Sequence, residues 1–120
     1  MHTRGSILIV EDHEEVRDVI CQLSEQRGFG AIGVGSAAAA RTVLEKNGKG
    51  VVLIISDAVG THADGATIEA EARRHRLPLV LMSGHPVTQA AYELAGVDFL
   101  PKPFRLAELE RRISRALGDE

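Results

Sequence analysis

The segment from Val51 to Asp57, Val-Val-Leu-Ile-Ile-Ser-Asp, constrains the fold of this chain more than any other. Five consecutive apolar residues, most of them β-branched, predict a strand that is buried on both faces, as in a parallel sheet. The segment ends on the carboxylate of Asp57, and residues 58–65 have the composition of a loop. Open α/β sheets place their chemistry at the carboxyl ends of their strands, so we expect Asp57 to lie at such an edge. The alternative is that Asp57 only caps the helix that follows.

The composition is that of one globular domain with an aliphatic core. The 120 residues suit a single domain over 1–120, and 44% of them are hydrophobic while 3% are aromatic. The net charge of −3 does not indicate direct binding to nucleic acid or to an anionic membrane surface. No apolar run approaches the roughly 20 residues of a membrane span, and no signal peptide is recognisable. With Cys21 as its one cysteine, the chain fits a reducing compartment, and we predict a cytoplasmic protein without membrane insertion.

The remaining sequence alternates strand-like and helix-like patterns. Short apolar runs predict strands at 7–10, 29–34, 51–57, 77–82 and 96–100. Apolar residues at helical spacing predict helices at about 14–27, 37–46, 65–75, 87–95 and from 106 onward. Their predicted inward faces include Val19, Val87, Leu94 and Leu106. Five strands alternating with five helices predict a doubly wound α/β domain, in which helices cover both faces of a parallel sheet.

Polar side chains follow four of the five predicted strands. Glu11 and Asp12 follow the first strand, Asp57 ends the third, Ser83 follows the fourth, and Lys102 follows the fifth. The carboxyl ends of parallel strands share one edge, so these side chains can converge. Three carboxylates repel one another unless a cation joins them, and oxygen ligands of this kind suit Mg²⁺. Together with a hydroxyl and an ammonium group, they are the parts needed for phosphoryl transfer to a carboxylate.

Four motifs in this order resemble those of a response-regulator receiver domain. They are Ile-Leu-Ile-Val-Glu-Asp at 7–12, the strand that ends on Asp57 with Gly65 eight positions later, Leu-Met-Ser-Gly at 81–84, and Asp-Phe-Leu-Pro-Lys-Pro-Phe at 98–104. The resemblance covers essentially the whole chain. It implies a flavodoxin-like sheet with the strand order 2-1-3-4-5.

The resemblance also implies the chemistry of the site. Asp57 would accept a phosphoryl group from a phosphohistidine of a histidine kinase or a histidine phosphotransfer protein. Mg²⁺ would be held by Asp12, by Asp57 and by the backbone carbonyl of Val59, with Glu11 acting through a water molecule. The expected protein is a signalling switch that catalyses its own phosphorylation and slow hydrolysis, and it is not expected to be an enzyme acting on other substrates.

Three further residues take roles from the same resemblance. Ser83 would hydrogen-bond a phosphoryl oxygen, Lys102 would pair with that group, and Phe99 occupies the position of the switch aromatic residue without the hydroxyl of a tyrosine. The resemblance, together with the need to aim Lys102 back towards Asp57, implies a cis peptide bond between Lys102 and Pro103, although only about 5–6% of such bonds are cis in folded proteins. The downstream partner is unspecified, and a homodimer stays open.

Two other functions and three ambiguous features accompany this prediction. A phosphohydrolase that forms an aspartyl-phosphate would commonly carry an acid two residues after the nucleophile, where Val59 stands. A binding module of the same fold that is not phosphorylated would be expected to lack the acidic pair or Lys102.

The Gly-x-Gly-x-x-Gly pattern at 28–33 follows a predicted helix, whereas a dinucleotide site must follow a strand. His85 is either a solvated loop residue or a side chain over the phosphate. Cys21 lies off the apolar stripe of its predicted helix. The sequence also leaves open whether the domain stands alone or belongs to a larger protein such as a hybrid kinase.

Overall fold

Parallel strands and α-helices alternate along the residues that the computed structural model describes, 4–57, 62–96 and 99–118. The strands are β1 (Ser6–Val10), β2 (Gly30–Val34), β3 (Val51–Asp57), β4 (Leu79–Ser83) and β5 (Phe99–Pro101). The α-helices are α1 (Glu14–Gln26), α2 (Ala37–Asn47), α3 (His62–Arg74), α4 (Pro86–Ala95) and α5 (Leu106–Leu117), and a 3₁₀ turn at Gly48–Gly50 follows α2. Within these ranges, no helix has the length and apolar composition that crossing a membrane would require.

The five strands form one parallel sheet in the order β2-β1-β3-β4-β5. This is the predicted flavodoxin-like order. In the register of the sheet, Val10 pairs with Ser56 and Asp57 pairs with Met82. Ser83 pairs with Pro101 at the end of β5. The last residues of four neighbouring strands therefore lie along one edge, as the sequence predicted.

Both faces of the sheet are covered by aliphatic side chains. Successive residues of a strand point to opposite faces, and β1 shows this clearly, since Ile7 and Ile9 pack on one side while Leu8 and Val10 pack on the other. The first face is closed by α1 and α5 through Ile20, Leu23, Leu109 and Ile113. The second face is closed by α2 and α3 through Ala40, Leu44, Ile68 and Ala72. The prediction of strands buried on both faces is confirmed.

Local features of the sequence set the beginning of α2 and the end of α1. Ser36 is the predicted N-cap of α2, and its hydroxyl accepts a hydrogen bond of 3.1 Å from the backbone N–H of Ala39. The chain leaves α1 through Gly28, whose φ of +90° is a conformation that favours glycine. Other boundaries differ by a few residues from the prediction, since α3 begins at His62 and β4 begins at Leu79.

Four residues predicted to face inward are exposed. Val19 on α1 is 45% exposed and Leu106 at the start of α5 is 46% exposed. The largest error concerns α4, where Val87 is 65% and Leu94 is 91% exposed. The inner face of α4 instead carries Thr88, Gln89 and Tyr92, because Gln89 hydrogen-bonds β4 and the ring of Tyr92 packs against Phe99 of β5. These contacts with the sheet determine how α4 is rotated about its own axis.

Candidate functional site

Three carboxylates meet at the carboxyl edge of the sheet. Glu11 and Asp12 follow β1, and Asp57 ends β3. One oxygen from each of them lies within 4.8 Å of the others. Glu11 is buried, Asp57 is half-buried and Asp12 is exposed, so the acidic group extends from the interior to solvent. The structure therefore brings together the three acids that the sequence placed at strand ends.

Lys102 lies between two of these acids. Its Nζ is 2.7 Å from Oε1 of Glu11 and 3.3 Å from Oδ1 of Asp57. The peptide bond between Lys102 and Pro103 is cis, as predicted. The sequence predicted that Lys102 would point towards Asp57, but it contained no sign of the shorter contact with Glu11. The ammonium group thus compensates two neighbouring negative charges.

Several other contacts fix Glu11 in place. Its backbone N–H donates to the carbonyl of Val34 at 3.0 Å, and its Oε2 accepts from the backbone N–H of His13 at 3.1 Å. The guanidinium of Arg17 donates to the Glu11 carbonyl at 3.2 Å. Burial raises the pKa of Glu11 above its ordinary value, and the hydrogen bond from Lys102 opposes that rise. Glu11 is the most buried of the three acids. This position suits a residue that holds a cation through a water molecule.

Ser83 ends β4 and is fully buried. Its hydroxyl oxygen accepts a hydrogen bond of 3.2 Å from the backbone N–H of His85. Its carbonyl accepts from the backbone N–H of Lys102 at 2.7 Å and from Nε2 of Gln89 at 2.6 Å. Gln89 was not predicted to take part in the site, since a polar residue in a predicted surface helix carries no distinguishing signal.

Phe99, at the predicted switch position, begins β5 and is half-buried. Its ring lies against that of Tyr92 on α4, with 5.7 Å between the ring centroids and an angle of 51° between the planes. This tilted pair joins α4 to β5. Tyr92 was not predicted to take part in the site, because the helical pattern had placed other residues of α4 on the inner face.

A cavity of about 380 Å³ opens to solvent beside Asp57. Its lining residues are Glu11, Asp12, His13, Val16, Asp57, Gly84, His85 and Lys102. His85 is exposed and lies on this lining, so the structure places it beside the site.

Cys21 is half-buried against the core, away from this lining, and burial raises the pKa of its thiol. Val59, whose carbonyl was predicted to be a metal ligand, lies outside the described residues.

The donor set fits a hard divalent cation. It consists of carboxylate oxygens close enough to share one ion, and Mg²⁺ and Ca²⁺ prefer oxygen ligands. Asp12 is exposed and Asp57 lines the open cavity, so both can be reached from solvent. The residues present therefore suit the metal that the sequence predicted.

The comparison with known proteins agrees with this geometry. The family model of the response regulator receiver domain matches residues 7–114. The chain is 30% identical over 118 residues to the sensor kinase CckA of Brucella abortus, covering 94% of this chain and 12% of that protein. It is 30% identical over 122 residues to the transcriptional regulatory protein FixJ of Bradyrhizobium diazoefficiens, covering 98% of this chain and 58% of that protein. The chain thus spans only part of the length of these two relatives.

Solved structures give the same result. The crystal structure of the receiver domain from the hybrid histidine kinase CckA is 32% identical with a TM-score of 0.77, over 94% of this chain and 99% of that one. A response regulator receiver domain protein from Clostridium thermocellum is 19% identical with a TM-score of 0.80, over 96% of this chain and 95% of that one, which shows likeness of fold alone. The chain belongs to the response regulator receiver domain family, whose members serve in two-component systems.

Proposed function

We propose that Asp57 accepts a phosphoryl group from a phosphohistidine on a histidine kinase or a histidine phosphotransfer protein. The observation that carries this proposal is the position of Lys102, whose ammonium lies 2.7 Å from Glu11 and 3.3 Å from Asp57. Asp57 also lines a cavity that opens to solvent, where a phosphodonor can approach. A carboxylate paired with a fixed cation, next to two further acids, supplies a nucleophile, positive charge and oxygen ligands for a metal, which suit phosphoryl transfer to a carboxylate.

The site would work with Mg²⁺. Asp12 and Asp57 would hold the ion directly, Glu11 would act through a water molecule, and the backbone carbonyl of Val59 would complete the protein ligands. The bound ion would balance negative charge on the transferring group and orient its oxygens. Support for this choice is the oxygen-only donor set, whose atoms lie within 4.8 Å of one another.

The protein's own side chains would perform the transfer. An Asp57 oxygen forms the new bond to phosphorus as the bond between phosphorus and the donor nitrogen breaks. Lys102 pairs with the added negative charge, which it can do from its present position beside Asp57. The hydroxyl of Ser83 would donate a hydrogen bond to a phosphoryl oxygen. Slow hydrolysis of the acyl phosphate returns the switch to its starting state.

The output of the switch would pass through the contacts around Ser83 and Phe99. Ser83 is hydrogen-bonded to α4 through Gln89, and Phe99 packs on α4 through Tyr92. A change at Asp57 would therefore alter how α4 lies against β4 and β5, and so change binding to a downstream partner or to a second copy. We place this activity in a single receiver domain over 1–120, acting in the cytoplasm without direct contact to nucleic acid or insertion into a membrane.

Labelling with acetyl phosphate tests the assignment of Asp57. With Mg²⁺ present, intact mass measurement should show one added phosphoryl group on the wild-type protein and none on Asp57→Asn. Asp18→Asn, which changes an exposed acid on α1, is the matched control and should be labelled normally. Labelling that persists in Asp57→Asn would overturn the assignment. Rapid turnover of a small phosphate ester would instead support the phosphohydrolase alternative.

A further inference from the structure

The carbonyl oxygen of Ser83 accepts hydrogen bonds from two different parts of the fold. The backbone N–H of Lys102, just after β5, lies 2.7 Å away, and Nε2 of Gln89 on α4 lies 2.6 Å away. A carbonyl oxygen has two lone pairs, so both are engaged. The peptide group that follows Ser83 is therefore held from β5 and from α4 at once.

The contact made by Gln89 coincides with an unusual orientation of α4. A helix on a sheet normally turns its apolar residues inward, yet Val87 and Leu94 are 65% and 91% exposed. The half-buried Gln89 occupies the inner face in their place. Gln89 therefore makes a contact with the sheet in place of the exposed Val87 and Leu94.

The hydroxyl of Ser83 has one simple motion available. Ser83 is fully buried, and its Oγ accepts from the backbone N–H of His85 at 3.2 Å. Its next neighbours, Gly84 and His85, line the cavity beside Asp57. Because the carbonyl is anchored on two sides, rotation about χ1 between staggered positions is the main freedom left to this side chain. Such a rotation would turn the hydroxyl towards Asp57, where its O–H would donate to a phosphoryl oxygen.

We propose that Gln89 is a positioning residue for Ser83, holding the Ser83 carbonyl so that the hydroxyl can reach a phosphoryl group on Asp57. This inference rests on the proposed phosphorylation of Asp57. An anchored hydroxyl loses less freedom when it binds than a mobile one, and preorganised donors stabilise charge more effectively for that reason. Of the two hydrogen bonds described at the Ser83 carbonyl, only the one from Lys102 would remain without Gln89.

Beryllofluoride, a mimic of the phosphoryl group, tests the proposal in the presence of Mg²⁺. Gln89→Met keeps the length of the side chain but removes the donor. We expect it to weaken beryllofluoride binding, measured by fluorine NMR titration, by about three- to tenfold, the factor expected for one ordinary hydrogen bond. Gln89→Asn keeps the amide but is too short to maintain the contact, so it should show a similar loss. Gln22→Met, on the exposed surface of α1, should bind as the wild type does.

A double-mutant cycle with Ser83→Ala separates positioning from a general structural effect. If Gln89 acts through the Ser83 hydroxyl, Gln89→Met should cause no further loss in the Ser83→Ala background. An equal loss in both backgrounds, or unchanged or tighter binding by Gln89→Met alone, would overturn the proposal. Failure of the wild-type protein to bind beryllofluoride, or labelling that persists in Asp57→Asn, would count against the proposed function instead.

Discussion

Replacing Lys102 by Met removes the cation between two largely buried acids. Its Nζ lies 2.7 Å from Glu11 and 3.3 Å from Asp57, and those two side chains are 1% and 7% exposed. Removing one partner of a buried ion pair costs about 3–5 kcal/mol, because an uncompensated charge stays buried. The side chain of Lys102 is itself 21% exposed. Since solvent screens part of the interaction, we expect the free energy of unfolding to fall by about 2–3 kcal/mol.

Urea denaturation followed by circular dichroism, at neutral pH and without divalent cations, measures this loss. In a domain of this size the melting temperature should fall by about 8–12 °C. Lys46→Met, which changes an exposed lysine on α2, is the matched control and should alter stability by no more than about 0.5 kcal/mol.

A second variant separates the loss of charge compensation from the loss of packing. Glu11→Gln combined with Lys102→Met removes one buried negative charge together with the cation, so it should recover most of the stability that Lys102→Met loses. If Lys102→Met were as stable as the wild type, or if the double variant were no more stable than Lys102→Met, Lys102 would not stabilise the fold by compensating the charge of Glu11.

Three further predictions concern the metal, α4 and Tyr92. Millimolar Mg²⁺ should raise the melting temperature because a ligand of the folded state stabilises it, and Asp12→Ala should lose most of that rise; an unchanged response would place the metal elsewhere. Residues 85–95 should show the fastest amide hydrogen exchange of any element and slow markedly with beryllofluoride, whereas protection equal to that of α1 and α5 in both states would contradict this. Burial, and secondarily the charge of Glu69, raise the pKa of Tyr92, so its absorbance should titrate above the ordinary value of about 10. The stabilisation that comes from neutral Tyr92 is then fully present below its ordinary pKa and is lost as the pH rises through the raised pKa. A titration midpoint of Tyr92 at or below the ordinary pKa would be inconsistent with the structure.

The location of the site could be predicted because it depends on few and mostly local features. The apolar run before Asp57 requires a strand buried on both faces, and the same holds for the run that precedes Glu11. Once such strands are parallel, their carboxyl ends lie along one edge whatever the details of packing. Residues at or directly after the ends of the strands, including Ser83 and Lys102, are brought to that edge by topology alone. The end of α1 near Gly28 was also predictable, since a backbone conformation that favours glycine is a local property.

The orientation of α4 could not be predicted in the same way. Its apolar spacing favours Val87 and Leu94 on the inner face, yet the structure turns them to solvent. The rotation of a helix about its axis depends on the free energy of contacts with other elements, here the bond from Gln89 to Ser83 and the ring contact of Tyr92. Those partners lie on strands, and the spacing of residues within the helix contains no information about them.

The pairing of Lys102 shows the same division most directly. The sequence alone determined that Lys102 and Glu11 each follow a strand, and therefore that both approach one edge of a parallel sheet. Only the tertiary structure decided that the ammonium lies closer to Glu11, at 2.7 Å, than to Asp57, at 3.3 Å. Glu11 and Lys102 are 91 positions apart in the chain, so their separation depends on the twist and register of every strand between them. Contacts of this range arise from the assembled sheet, and no local pattern specifies them.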